Sequence, residues 1–239
     1  MVLGSNEVQV WRASLHLGAS RLDALLATLT ADERARAARF HFPKDRDHFI
    51  AGRGLLRAIL ARHLDTDPAT LCFRYGRRGK PALAIPSDMG ALRFNLAHSY
   101  GLALYAVTRA REVGVDLERM QPRLEEGIAE RFFSPREVAA LRALPGDRQR
   151  EAFFACWTRK EAYLKAKGDG LALGLDQFDV SLAPGEPAAL LRTEGDPQEA
   201  SRWSIRELDP APGYAAALAV EGRNWHLTCW QWPDETEAM

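Results

Sequence analysis

The chain has 239 residues, of which 46% are hydrophobic and 27% charged, and Lys plus Arg equal Asp plus Glu at 32 each. This composition excludes a disordered chain, and the zero formal net charge argues against a polybasic nucleic-acid-binding or membrane-surface protein. No apolar run reaches the roughly 20 residues of a membrane span. The first residues lack the charged and apolar regions of a signal peptide, and Cys72, Cys156 and Cys229 are too scattered for a disulfide framework or a Cys-x-x-Cys metal site. A cytoplasmic protein is expected.

In chain order, residues 22–38 are rich in Ala, Leu and Arg and predict a helix. Residues 45–63 predict a second, with Phe49, Leu55, Leu56, Ile59 and Leu60 apolar at helical spacing. Residues 92–97 and 102–108 read as paired strands around a turn at 99–101, and 113–118 as a further strand. Ser134, Pro135 and Glu137 form a helix-start signature, N-cap plus capping box, for a helix over 134–144. A longer helix is expected from about 151 to 167, stopping at Gly168. Segments 178–182, 203–208, 214–220 and 225–232 are strand-like. Strands and helices mix without strict βαβ alternation, which predicts an α+β fold.

Two short similarities recur in the same order. Residues 39–45 (RFHFPKD) resemble 131–137 (RFFSPRE), and 101–107 (GLALYAV) resemble 213–220 (GYAAALAV). They predict two similar halves joined near residue 110, with segments 1–110 and 111–239 as units and a cleft between them as the natural ligand site.

The candidate chemistry begins in the 113–118 strand, where alternation puts Asp116 and Glu118 on one face. Two carboxylates about 7 Å apart along a strand read either as a wet acidic face or as oxygen ligands for a divalent ion such as Mg²⁺. In the 151–167 helix, Trp157, Glu161 and Lys165 fall on one stripe. Glu161 and Lys165 read either as a surface ion pair or as a proton-transfer pair. The chain has only five lysines, three of them among residues 160–167, and lysine's tunable pKa distinguishes it from arginine. The basic, glycine-bearing stretch 74–81 reads as a solvated turn or a phosphate-binding loop around Lys80. Asn95, His98 and Ser99 end a strand, and Arg46 and Arg53 lie two turns apart on a helix, as surface charges or a phosphate clamp.

Taken in order, 94–99 (FNLAHS), 114–118 (GVDLE), 132–137 (FFSPRE) and 157–165 (WTRKEAYLK), with the Gly79-Lys80-Pro81 turn, resemble the motifs of the Sfp-type 4′-phosphopantetheinyl transferases. The resemblance implies a fold of two similar α+β halves in pseudo-twofold relation. It implies transfer of the phosphopantetheine arm of coenzyme A to a serine of an apo acyl or peptidyl carrier protein, with adenosine 3′,5′-bisphosphate leaving. By position, Asp116, Glu118 and Glu161 would hold Mg²⁺ on the pyrophosphate, and Lys165 would sit at the scissile phosphoanhydride. Lys80, Pro81, Asn95, His98 and Ser99 would contact the coenzyme, with Arg46 and Arg53 more loosely matched to its adenosine end. Glu161, or a metal-bound water that it orients, is the first choice for general base, Lys165 assists the leaving group, and Glu137 is either catalytic or a helix cap. Ala97 stands where family members often carry serine.

Segment 121–131 with Arg136, Arg142 and Arg148 reads either as the local basic or apolar face on which a carrier would dock or as a plain charged loop, and a complete cleft in one chain predicts a monomer. The alternatives are a catalytically silent binder of coenzyme A or carrier protein, in which some of Asp116, Glu118, Glu161 and Lys165 would be eroded, and a scaffolding α+β protein. All four residues are present.

Overall fold

Side-chain alternation along the strands builds two main sheets that pack face to face, with two short pairs, β2 (Phe73–Tyr75) with β3 (Pro81–Leu83) and β7 (Phe178–Val180) with β8 (Leu190–Thr193), and the short helix α4 (Ile128–Phe132) outside them. The computed structural model describes residues 3–76, 79–84, 92–123, 127–168 and 174–233. In the first sheet, β1 (Glu7–Ser14) is central: it pairs antiparallel with β5 (Leu102–Arg109), which pairs with β4 (Leu92–Ser99), and parallel with β11 (His226–Gln231). In the second, β10 (Tyr214–Glu221) lies between β6 (Val113–Arg119) and β9 (Trp203–Leu208). Val8, Val10, Leu104 and Ala106 of the first sheet meet Val113, Val115, Leu117, Leu218 and Val220 of the second in a shared apolar layer.

The opposite face of each sheet carries a 22-residue helix. Trp11, Ala13, Leu15, Tyr105 and Val107 pack on α1 (Ala19–Thr28) and α3 (Pro43–Leu64). On the second sheet, Ile205, Ala217 and Ala219 pack under α6 (Gly146–Lys167). The result is four layers, helix–sheet–sheet–helix, and the α+β class and paired-half architecture expected from the sequence are what the chain adopts. The expected division after residue 110 falls in the turn between β5 and β6, and β11, from the later segment, completes the first sheet. Stacking of Trp11 on Trp230 and the Arg62 guanidinium over Trp232 hold β11 there.

Two expectations need correction, and one element is new. The helix predicted over 22–38 is two helices, α1 and α2 (Ala31–Ala37), because Thr30 caps α2 and the Glu33 carboxylate accepts the Thr30 N–H to close a capping box. Helix α6 begins at Gly146, five residues before the expected start, with Pro145 at its N-cap, so a Pro-Gly pair serves as the helix entrance. The strand β1 was not anticipated. The cap at Ser134 is as predicted: α5 (Pro135–Ala143) starts on Pro135, with Ser134 Oγ accepting the Glu137 N–H at 3.2 Å.

Candidate active site

Gly114 determines how closely the catalytic candidates approach one another. On β6 it faces α6, and a Cβ built there would lie 2.1 Å from the Ala162 carbonyl oxygen and 2.3 Å from the Ala166 amide nitrogen. Only glycine admits this approach of helix backbone to strand. It brings Glu161 and Lys165, one helical turn apart, over Asp116, the next residue on the same face of β6.

Asp116 is 4% exposed, and its Oδ1 accepts a charge-assisted hydrogen bond from Lys165 Nζ at 2.5 Å. Its Oδ2 is buried without a hydrogen-bond partner. Burial raises the Asp116 pKa, opposed by the Lys165 ammonium. Glu118 and Glu161 are half-buried and also raised, each by desolvation first and then by the negative charge of Asp116, while Ser99 opposes the shift at Glu118. Three carboxylates from two distant segments thus repel one another in a partly desolvated pocket, where an added cation would relieve them. Among the described residues, no group of three or more His, Cys, Asp or Glu side chains is gathered closely enough to hold an ion as placed; the cation on Asp116 is Lys165. The orphaned Oδ2 and the all-oxygen, mutually repelling donor set fit a hard divalent ion such as Mg²⁺.

A cleft of about 330 Å³ opens beside these groups, lined by Gly79, Lys80, Pro81, Asn95, Glu161 and Lys165, among others. Its two walls come from the two segments of the chain. Lys80 is anchored over the end of α6, donating to the carbonyls of Ala166 (3.2 Å) and Val113 (3.4 Å) and lying 3.6 Å from Glu112. Of the basic loop, Arg77 and Arg78 lie outside the described residues. His98 projects from β4 on the exposed side, and partial burial, then the Lys165 charge, lower its pKa.

Asn95 and Ser99 have a further task. Asn95 Oδ1 accepts the Val115 N–H at 2.9 Å, and Ser99 Oγ accepts the Arg119 N–H at 3.1 Å while donating to Glu118 Oε2 at 3.2 Å. These two side chains replace a backbone ladder between β4 and β6, joining the sheets at the edge where the site lies.

The remaining candidates are not gathered here. Glu137 is 3% exposed: Oε2 accepts from the Ser134 N–H (2.9 Å) and pairs with the fully buried Lys160 (2.8 Å), and Oε1 accepts the Val180 N–H (2.8 Å). Lys160 also donates to the carbonyls of Leu175, at 2.6 Å, and Phe178. This network is saturated and structural, so the capping alternative for Glu137 is the one the geometry carries. Arg46 is exposed and paired with its neighbour Asp47. Arg53 turns to Glu33, 3.4 Å away, and stacks over Phe73 and Tyr75, so the two arginines do not form a clamp. On the expected docking face, residues 124–126 lie outside the described residues. Arg142 pairs with Glu130 at 2.6 Å, Arg148 with Glu151 at 3.6 Å, and Arg136 lies 3.9 Å from Asp179. Sequence reasoning missed Gly114, although a glycine inside a strand signals close backbone approach.

The family model described as 4′-phosphopantetheinyl transferase superfamily matches residues 112–219, and one described as 4′-phosphopantetheinyl transferase, N-terminal, matches residues 11–109. The 4′-phosphopantetheinyl transferase HetI of Nostoc sp. (strain PCC 7120) is 46% identical over 233 residues, covering 97% of this chain and 95% of its own. A 4′-phosphopantetheinyl transferase of Bacillus subtilis is 35% identical over 166 residues, covering 70% and 72%. The 4′-phosphopantetheinyl transferase Sfp of Bacillus subtilis (strain 168) is 29% identical over 199 residues, covering 83% and 84%.

Proposed function

The chain belongs to the 4′-phosphopantetheinyl transferase superfamily, and on that premise we propose how its residues move the phosphopantetheine arm of coenzyme A to a serine of an apo acyl or peptidyl carrier protein. The observation that carries the reading is the two-walled cleft with buried Asp116 at its side. Segment 1–110 supplies coenzyme contacts from Lys80, Pro81, Asn95, Ser99 and His98, with Arg46 and Arg53 outside the cleft wall, and segment 111–239 supplies the ion ligands and the catalytic helix.

Asp116, Glu118 and Glu161 would hold Mg²⁺. When bound, the ion neutralises pyrophosphate charge and stabilises the charge that develops on the leaving oxygen. Glu161 takes the proton from the carrier serine hydroxyl. The serine oxygen bonds to the phosphorus next to pantetheine, the phosphoanhydride bond breaks, and adenosine 3′,5′-bisphosphate leaves. Lys165, on the helix turn after Glu161, faces the departing phosphate and stabilises its charge. Because both walls belong to one chain, the working unit is a monomer. No described helix is long and apolar enough to cross a membrane, and we place the reaction in the cytoplasm, where coenzyme and carrier meet.

The test is incubation with coenzyme A, Mg²⁺ and a panel of apo carriers, read by the mass gain of phosphopantetheine. Mass gain that disappears with EDTA and returns with Mg²⁺ is expected. Coenzyme binding without transfer to any carrier would instead indicate a silent binder.

A further inference from the structure

His16 lies just past β1 and His48 on the second turn of α3. Their rings meet edge to face with centroids 4.8 Å apart, and His16 Nδ1 stands 3.4 Å from His48 Nε2. An N–H donor in a hydrogen bond prefers about 2.9–3.0 Å. Two nitrogens each about 2.0–2.1 Å from a tetrahedral Zn²⁺ are separated by about 3.3–3.4 Å. The observed spacing lies at the long limit of an imidazole–imidazole hydrogen bond and equals the bite of a tetrahedral ion.

The pair is oriented in advance. Gly101 has φ +85°, and a Cβ there would lie 2.0 Å from His16 Nε2, so the ring is wedged against that turn with Nδ1 directed at His48. The Leu15 N–H donates to the Gly101 carbonyl at 2.7 Å, tying the loop to the same turn.

We propose that His16 and His48 form a two-imidazole binding site for a tetrahedral divalent ion such as Zn²⁺. Among the described residues no third His, Cys, Asp or Glu closes the site, so its remaining positions go to water or to an anion's oxygen, and binding is reversible. The two sites sort ions by ligand type: imidazoles take a borderline ion, and the carboxylates at 116, 118 and 161 take a hard one. The proposal does not depend on the transferase mechanism.

The test is calorimetric titration of Zn²⁺ alone into the full chain, in Mg²⁺-containing buffer free of thiols and chelators, against His16→Ala, His48→Ala and the double variant. Loss of outer-shell partners alone weakens metal binding about 10–100-fold; each single variant, losing a ligand, is expected to lose at least that much affinity. Zn²⁺ should raise the melting temperature of the wild type by binding the folded state, and leave that of the double variant unchanged. His48→Gln repeats the measurement if His48→Ala melts early without metal. Cys72 and Cys229 are exposed and remain in every variant, so Zn²⁺ binding that persists undiminished in the double variant belongs elsewhere and overturns the proposal. A wild type whose melting temperature ignores Zn²⁺ does the same.

Discussion

Replacing Gly114 with Ala adds one methyl group between β6 and α6, where the facing atoms are backbone and cannot rotate away. The shorter contact would be 2.1 Å, so α6 must retreat by about 0.9 Å to reach 3.0 Å and about 1.3 Å to reach an ordinary 3.4 Å. Overpacking of this kind costs about 1–3 kcal/mol. For a chain of this size that lowers the melting temperature by about 2–12 °C. The larger effect is catalytic, because the displaced helix carries Glu161 and Lys165 away from Asp116. A misplacement near 1 Å costs on the order of 10²-fold in rate. Carrier modification followed by mass spectrometry, with melting curves on the same samples, reads both. Gly146→Ala is the internal control: it lies at the start of the same helix with nothing within 4 Å of its added Cβ, and should leave rate and stability near wild type. Gly114→Ala with wild-type turnover and an unchanged melting temperature would refute the argument that this glycine sets the helix–strand distance.

Glu161 has a pKa raised by burial and by Asp116, so the folded state holds its proton more tightly than the unfolded chain. Stability therefore falls as pH rises from the ordinary glutamate value through the raised one, and the penalty is complete above both. Glu161→Gln removes it: in EDTA at neutral pH the variant should melt above the wild type while its transfer activity is lost, and a lower melting temperature contradicts the sign. Lys165→Met should slow single-turnover transfer about 10²–10³-fold, and near-normal turnover would remove Lys165 from the leaving-group role. Glu137→Ala strands the buried Lys160 ammonium at a cost of about 3–5 kcal/mol, a fall of roughly 6–20 °C. Turnover per folded molecule should survive; a large loss of kcat at unchanged melting temperature would return Glu137 to catalysis.

Legibility in the sequence followed the range of the interactions involved. The cap at Ser134 and the carboxylate face of β6 are local, and the pattern alone places them. The break at Thr30 is equally local, yet the Ala- and Arg-rich composition around it masked the capping box that Thr30 and Glu33 form. Strand β1 is buried on both faces, Val8 and Val10 against the second sheet and Trp11 and Ala13 against α3, so it lacks the wet face that makes alternation visible. Arg53 shows the limit most clearly. Helical spacing groups it with Arg46, but its partner Glu33 and the rings of Phe73 and Tyr75 come from other elements that no local pattern brings together. Asn95 and Ser99 were read for coenzyme contact from their motif, while the ladder-replacing bonds to β6 depend on how the sheets meet.

The parallel pairing of β1 with β11 gives the chain a history during its synthesis. Residues 3–109 hold three of the four strands of the first sheet, and the fourth arrives about 120 residues later, on the order of 6–24 s at ordinary translation rates. Throughout that interval one flank of β1 presents unpaired amides and carbonyls, the template on which a neighbouring nascent chain or a chaperone's extended segment would zip. The newborn protein works with an open seam, and residues 226–231 are the stitch that shuts it.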